Sequence, residues 1–186
     1  MNEREIASIQ VPIPKVNYLK KKWMDIYTPL VSIANLEVRM NLSIPSIDLR
    51  LAIDNENIMC LEKGKMFINL ILLGFTPQEA ILALKEECAV NISFTVKDIK
   101  KLSGHNLERA VGRVVGREGK IKEQIEQSSR TKIVIKNDTF HILGSEEGVK
   151  LAKDGICRLV MGANPGSIQN KMRRIAKKMK EECFLV

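Results

Sequence analysis

Between Ile92 and Gly162 the spacing of apolar residues switches repeatedly between the period of a strand and that of a helix, with a G-x-x-G at the break between two helical stretches. Ile92, Phe94 and Val96 alternate with polar residues, as in a half-buried strand. Leu107, Ala110, Val111, Val114 and Val115 then recur at helical spacing and leave Arg109 and Arg113 on the opposite face. Gly116 closes that helix. A second helix follows Gly119, with Ile121 and Ile125 one turn apart, and runs out at Ser128-Ser129. Two β-rich runs come next, residues 131–135 and 140–143, joined by the turn residues Asn137-Asp138. Ser145 reads as the N-cap of a last helix, with Glu146 and Glu147 in its first turn. Val149, Ala152, Ile156, Leu159 and Val160 mark one face of that helix, which stops near Gly162.

Strand, helix, glycine loop, helix, strand, strand, helix is an α+β plan, in which the late strands pair as a hairpin and the helices cover one face of a small sheet. It is the βααββα order of a type I KH domain. Alone, Gly116-Arg117-Glu118-Gly119 is a weak signal, since a helix-capping glycine produces such a pattern by chance; its position in this order gives it weight. Backbone can approach backbone only where no Cβ intervenes, and the following helix presents unpaired N–H groups to an anion. A KH loop clamps about four nucleotides in this way. Arg117 and Lys120 would add phosphate contacts, and Ile121, Ile133 and Ile135 would form the apolar floor of the groove. Arg113 and Lys132 complete the expected RNA-binding set of the loop region. Glu118 is an acid inside the clamp, so contact has to come mainly from backbone and neighbouring cations.

The first half repeats the plan. A shift of 95 positions places Ile121 and Ile125 on Ile26 and Leu30, and Ile133 and Ile135 on Val38 and Met40. Residues 11–13 would then form the first strand, residues 36–42 and 47–51 the later two, and residues 58–73 the last helix. The loop does not repeat, because its counterpart is Lys21-Lys22-Trp23-Met24, with neither glycine. Lys20-Lys21-Lys22 either touches phosphate by charge alone or is a solvated helix face. Trp23, Ile26, Tyr27, Leu30, Val31 and Ala34 recur at helical spacing and are expected in the core. Thr76-Pro77 opens a capped connecting helix that runs to Lys85. Beyond Asn164-Pro165-Gly166-Ser167 a final helix carries Lys171, Arg173, Arg174, Lys177, Lys178 and Lys180, basic on most of its faces. The expected organisation is therefore two tandem type I KH units, the first degenerate, plus a basic C-terminal helix. Their bounds are 1–90 without the glycine loop, 91–164 with it, and 165–186 for the helix. Arg173, Arg174, Lys177 and Lys178 are expected to be sequence-indifferent phosphate contacts.

Charge agrees with that division. Residues 1–100 carry 12 Lys+Arg against 12 Asp+Glu, whereas residues 101–186 carry 18 against 10, so the whole net charge of +8 sits in the second half. Such asymmetry is expected where one part of a protein meets a polyanion, the alternative being solvated helix faces. Aromatic residues are only 4% of the chain, which argues against base stacking on many rings, as in an RRM. Cys60, Cys88, Cys157 and Cys183 stand far apart, with no C-x-x-C and only His105 and His141 as co-ligands. Core thiols in a reducing compartment are expected, and no metal site. No apolar run of 18 residues exists, and residues 1–10 carry charges where a signal peptide needs an apolar stretch. The expectation is a soluble, intracellular chain without a membrane partner. A clustered acidic constellation for two-metal hydrolysis, a G-x-G-x-x-G turn and a plausible His or Cys site are all missing. Neither an enzyme nor a cofactor is expected.

Several stretches go beyond a generic KH pattern: Val11-Pro12-Ile13-Pro14, Trp23-Met24 with Thr28-Pro29, Leu73-Gly74-Phe75, residues 107–113 (LERAVGR), Arg130-Thr131-Lys132-Ile133, and His141-Ile142-Leu143-Gly144-Ser145. On these the chain resembles, over nearly its whole length, the Partner of Nob-one or Dim-two family of small-subunit ribosome assembly factors. The resemblance implies a eukaryotic protein with a degenerate first KH unit and an RNA-binding second one; archaeal relatives tend to keep a glycine loop in both. It also implies binding near the 3′ end of the small-subunit rRNA precursor, beside the site cut by the Nob-one endonuclease. That endonuclease and other small-subunit assembly factors are the implied partners, with no DNA. The implied location is the nucleolus and nucleus, with passage to the cytoplasm on pre-ribosomal particles. Two departures from the family pattern are the missing long polar N-terminal extension and Glu118, which stands where a small residue is usual. The favoured reading is a non-catalytic RNA-binding assembly factor whose first unit serves mainly for protein docking. The alternatives are a KH regulator of other RNAs, messenger RNA among them, and an RNA-processing enzyme.

Overall fold

The computed structural model describes residues 6–52, 57–86 and 88–183, with side chains as far as Lys177. The chain forms two compact units, Met1–Glu87 and Cys88–Val186, and each contains one three-stranded antiparallel sheet.

In the first unit, β1 (Ile6–Gln10), α1 (Ile13–Lys21), α2 (Trp23–Ser32), β2 (Leu36–Asn41), β3 (Ser46–Leu51) and α3 (Ile58–Leu73) follow the βααββα plan. β3 is the central strand, and β1 and β2 are its edges. The first strand lies earlier than the expected residues 11–13, and the prolines explain why. Pro12 has no N–H for a ladder, and Pro14 suits a first helical turn, where the N–H has no intrahelical partner anyway. Pro12 therefore becomes the N-cap of α1, and strand pairing stops at Gln10. A single residue, Lys22, joins α1 to α2, so no loop replaces the glycine turn of the other unit. α2 meets the core through Ile26, Pro29 and Leu30, and Ala34 continues that side just past the helix end. Ile26, Leu30 and Ala34 are buried, whereas Tyr27 and Val31 are each 37% exposed, against the expectation that the whole stripe is core. The connecting helix is two single turns, α4 (Pro77–Ala80) and α5 (Leu82–Lys85), the first closed by a capping box between Thr76 and Glu79.

The second unit runs β4 (Ala89–Thr95), α6 (Val96–Ile99), α7 (His105–Val115), α8 (Lys120–Ser129), β5 (Lys132–Lys136), β6 (Thr139–Ser145), α9 (Glu146–Met161) and α10 (Pro165–Cys183). β6 is central, pairing Phe140 with Phe94 of β4 and Ile142 with Ile133 of β5. A two-residue turn with Asn137 at φ 56° joins β5 to β6, as its composition implies. The short α6 is not announced by any apolar period: Thr95 ends the strand and forms a capping box with Asp98, folding the chain over the sheet edge. Phe94, Val114, Ile125, Ile133, Phe140, Ile142, Val149 and Ile156 make the centre of the core.

α10 differs from the expectation of a helix basic on most faces. Ile168 and Met172 are 5% and 3% exposed and belong to the same core as Ile125 and Leu159, with Ile175 packed at its margin. Asp154 of α9 adds a polar tie, accepting from Arg158 (2.8 Å) and from Lys171 of α10 (3.3 Å). Burial pushes that carboxyl's pKa up, but Arg158 and Lys171 more than offset it and hold the group below its ordinary value. The tie is therefore present above the usual carboxylate range and is lost as pH falls through the lowered pKa.

The thiols are not gathered in the core. Cys60 and Cys157 are half-buried and Cys88 is exposed, all three free, while the Cys183 side chain lies outside the described residues. No helix among the described residues is long and apolar enough to cross a membrane.

Candidate nucleic-acid interface

The glycine turn begins where α7 ends. Gly116 donates its N–H to the carbonyl of Gly112 (2.8 Å) and sits at φ 72°, ψ −176°, a region open essentially to glycine alone. A Cβ at Gly116 would lie 2.6 to 2.9 Å from atoms of the Ile121 side chain, so the turn is folded back onto the start of α8. Arg117, Glu118 and Gly119 make one tight 3-10 turn. Glu118 is left-handed at φ 55°, ψ 26°, and Gly119 follows at φ 75°, ψ 5°. A Cβ at Gly119 would meet nothing within 4 Å, so this side of the turn is open. No side chain caps α8 or the turn before it. Uncapped N–H groups behind an open glycine turn are the geometry that accepts an anion.

The expected site residues separate into distinct situations. Arg113, Arg117 and Lys132 are exposed, and so is Arg130, the left-handed C-cap of α8; none of the four forms an ion pair among the described residues. Arg113 also serves a neighbouring helix. A Cβ on Gly162 would come within 3.4 Å of its Nη1, which places the guanidinium at the carbonyl end of α9, where a helix dipole favours a cation. Lys120 is already engaged, with its Nζ 3.0 Å from Glu118 Oε2. Ile121 and Ile135 are half-buried against the core and are available to line a groove. Ile133 is not: at 1% exposed it points into the helix-covered face of the sheet and belongs to the core. That placement corrects the expectation of a three-isoleucine floor: Ile133 and Ile135 share one face of β5, and of the two only Ile133 is fully covered by the core, Ile135 being half-covered toward the hairpin end of the strand.

Sequence reasoning missed Glu126. Its Oε1 accepts the N–H of Ile133 at 2.7 Å and stands 3.6 Å from Lys122 Nζ, so the carboxylate satisfies an edge-strand donor and joins α8 to β5. The two residues are seven apart across a turn, and no local period announces such a contact. Glu126→Ala is expected to cost about 1–3 kcal/mol by leaving that half-buried N–H unpaired, with Glu126→Gln close to the parent in urea denaturation. Arg130 also gave no sequence signal as a site residue, since its left-handed backbone is not written in its side chain.

On α10, Arg173, Arg174 and Lys177 are exposed, and the side chain of Lys178 lies outside the described residues. The start of the helix shares a small cleft with α8, lined by Ile121, Gln124, Ile125, Ile168 and Met172. The basic helix is thus built onto the helix that carries the turn. Among the described residues no group of three or more His, Cys, Asp or Glu could hold a metal ion.

Residues 93–177 match KH_PNO1_2nd, described as a eukaryotic type KH-domain (KH-domain type I). With the glycine turn, the strand order and the βααββα sequence in place, the second unit is a type I KH domain of eukaryotic type. Similarity extends over nearly the whole chain. It is 35% identical to the RNA-binding protein pno1 of Dictyostelium discoideum over 96% of this chain and 75% of that one. It is 37% identical to the pre-rRNA-processing protein PNO1 of Coccidioides immitis over 95% of this chain and 70% of that one. The chain belongs to the PNO1 family, the Partner of Nob-one family that its sequence resembles. In fold it is similar to a chain of the crystal structure of the a/eIF2alpha-aDim2p-rRNA complex from Pyrococcus horikoshii, with a TM-score of 0.76 at 20% identity over 95% of this chain and 97% of that one.

Proposed function

We propose that the chain is an RNA-binding factor of small-subunit pre-rRNA processing that grips single-stranded RNA through the Gly116–Gly119 turn of its second unit. In this reading it binds near the 3′ end of the small-subunit pre-rRNA and positions the Nob-one endonuclease for the final cut. It acts without catalysis of its own, in the nucleolus and nucleus, and passes to the cytoplasm on pre-ribosomal particles. One observation carries the reading: the second unit has an uncapped α8 behind an open glycine turn, beside Arg117, Arg130 and Lys132, which form no ion pair among the described residues. In the first unit Lys22 alone joins the two helices. Two relatives are named for RNA binding and pre-rRNA processing, which agrees with it.

The test is binding of the full chain to single-stranded RNA from the 3′ end of the small-subunit precursor. Gly119→Asp places a carboxylate in the open side of the turn, and affinity is expected to fall at least about tenfold, near 1.4 kcal/mol. An unchanged affinity in a folded variant would overturn the assignment. Glu118→Gly has the opposite sign: it frees Lys120 and removes a left-handed non-glycine residue. Tighter binding and a gain of about 1 kcal/mol in stability are expected, read by fluorescence anisotropy and thermal melting.

A further inference from the structure

The shift of 95 that relates the two halves holds for burial: Leu19 and Val114, Leu30 and Ile125, Ala34 and Ser129, Leu36 and Thr131, and Ile47 and Ile142 are all buried pairs. Asn35 and Arg130, which lead from the second helix into the next strand, share a left-handed backbone at φ 48° and 53°. The groove between α2 and β2 can therefore be compared, residue by residue, with the place between α8 and β5.

In the second unit the strand edge at that place is capped by a side chain and its surroundings are basic. Glu126 takes the N–H of Ile133, and Lys122, Arg130 and Lys132 stand around it. In the first unit Val31 replaces Glu126, Val38 replaces Ile133, and Tyr27, Asn35 and Glu37 replace the three cations. A valine accepts no hydrogen bond. The register also turns this edge outward. Ala52 donates its N–H to the carbonyl of Asn35 (3.3 Å). Asn35, Glu37 and Arg39 are therefore the positions that bond to β3, and the N–H and C=O groups of Leu36, Val38 and Met40 point away from it. Beside them lies an open groove of about 400 Å³ lined by Tyr27, Val31, Leu36, Glu37 and Val38.

We propose that this groove is a peptide-binding site, in which an extended segment of a partner protein adds a strand to the edge of β2 and seats an aliphatic side chain against Tyr27 and Val31. The proposal rests on the reading of the first unit as the protein-docking half. Three features select a peptide. The edge offers donors and acceptors at strand spacing, which a peptide backbone matches. Tyr27 and Val31, each 37% exposed, give the groove an apolar wall. Its described lining residues include no cation, and the one carboxylate, Glu37, is already paired with Arg50, whereas an RNA backbone needs cations such as those at the matching positions of the second unit.

Val31→Glu copies Glu126 into the first unit, at an exposed position where the fold tolerates it. The new carboxylate takes the Val38 N–H and fills the groove. Val38→Pro is a second route, removing an outward-facing donor that an edge strand can lose. A displayed library of random dodecapeptides is selected on the full chain, and the peptides obtained are measured on the parent and on both variants. Aliphatic residues at alternate positions are expected, with affinity at least about tenfold lower in each variant and with the Val38 and Met40 amide resonances of the parent shifted on binding. Oligouridylate binding stays as in the parent for both variants, while Gly119→Asp reports on the RNA grip separately. The failure of either reading is therefore distinguishable from that of the other. Selection that yields no peptide, peptides that bind the variants as well as the parent, or shifts confined to other elements would sink the proposal. So would a loss of oligouridylate binding in Val31→Glu, which would make the groove an RNA site.

Discussion

Gly116→Val is expected to destabilise the second unit by about 3 kcal/mol, a loss seen in urea denaturation before any ligand is added. Two causes act together. The backbone at φ 72°, ψ −176° is closed to residues with a Cβ, and that Cβ would stand 2.6 Å from Ile121 Cγ1. Ile121 cannot retreat freely, because it packs against the core from the first turn of α8. Gly119 is the contrasting case. It is also left-handed, at φ 75°, but no atom lies within 4 Å of its Cβ position, so Gly119→Asp carries only a backbone cost of about 1 kcal/mol. From sequence the two glycines of the G-x-x-G look equivalent. The structure separates them: one is a packing glycine under an isoleucine, the other faces open space. Equal stability losses for Gly116→Val and Gly119→Asp would contradict this assignment.

The same distinction shows which features are legible in sequence. The order of the second unit can be read because each element there has a clean period and an explicit boundary, such as Ser145, whose hydroxyl oxygen accepts from Gly148 at the start of α9, or Asn137-Asp138 at the hairpin. The first strand is misplaced from sequence because Val11 and Ile13 look like a strand when taken alone. The neighbouring prolines act through missing N–H groups, which apolar spacing does not register. Tyr27 and Val31 fit a helical stripe as well as Ile26 and Leu30 do. Which ridge meets the sheet depends on how the helix is set against it, and that is a tertiary property. Within the site, the glycine pair and the surrounding cations are visible as residue types. Their availability is not: Lys120 is held by Glu118, Arg113 lies at the end of α9, and Ile133 faces inward.

Met172→Ala is expected to cost about 2–5 kcal/mol, the range for removing a large buried side chain without collapse of the cavity. Counting charges along residues 165–186 hides this, because Met172 stands between Lys171 and Arg173 in the most basic stretch of the chain. Yet Met172 is 3% exposed, and Gly155 of α9 leaves the space it fills, since a Cβ there would come 2.9 Å from Met172 Sδ. Gly155→Leu is therefore expected to destabilise as well, by overpacking, at about 1–3 kcal/mol. Arg173, Arg174 and Lys177 lie on the exposed side of the same helix, so neutralising them should leave the melting curve near that of the parent. Their effect should instead appear in RNA binding, as a flatter dependence of log K on log salt, by up to about 0.7 for each single-strand phosphate no longer neutralised. Two variant sets on one helix thus give opposite signatures, stability without slope for Met172 and slope without stability for the basic residues. A Met172→Ala protein that melts with the parent would show that α10 is only laid on the domain. In that case the cleft it shares with Ile121 and Ile125 could not be a support for the helix that carries the glycine turn.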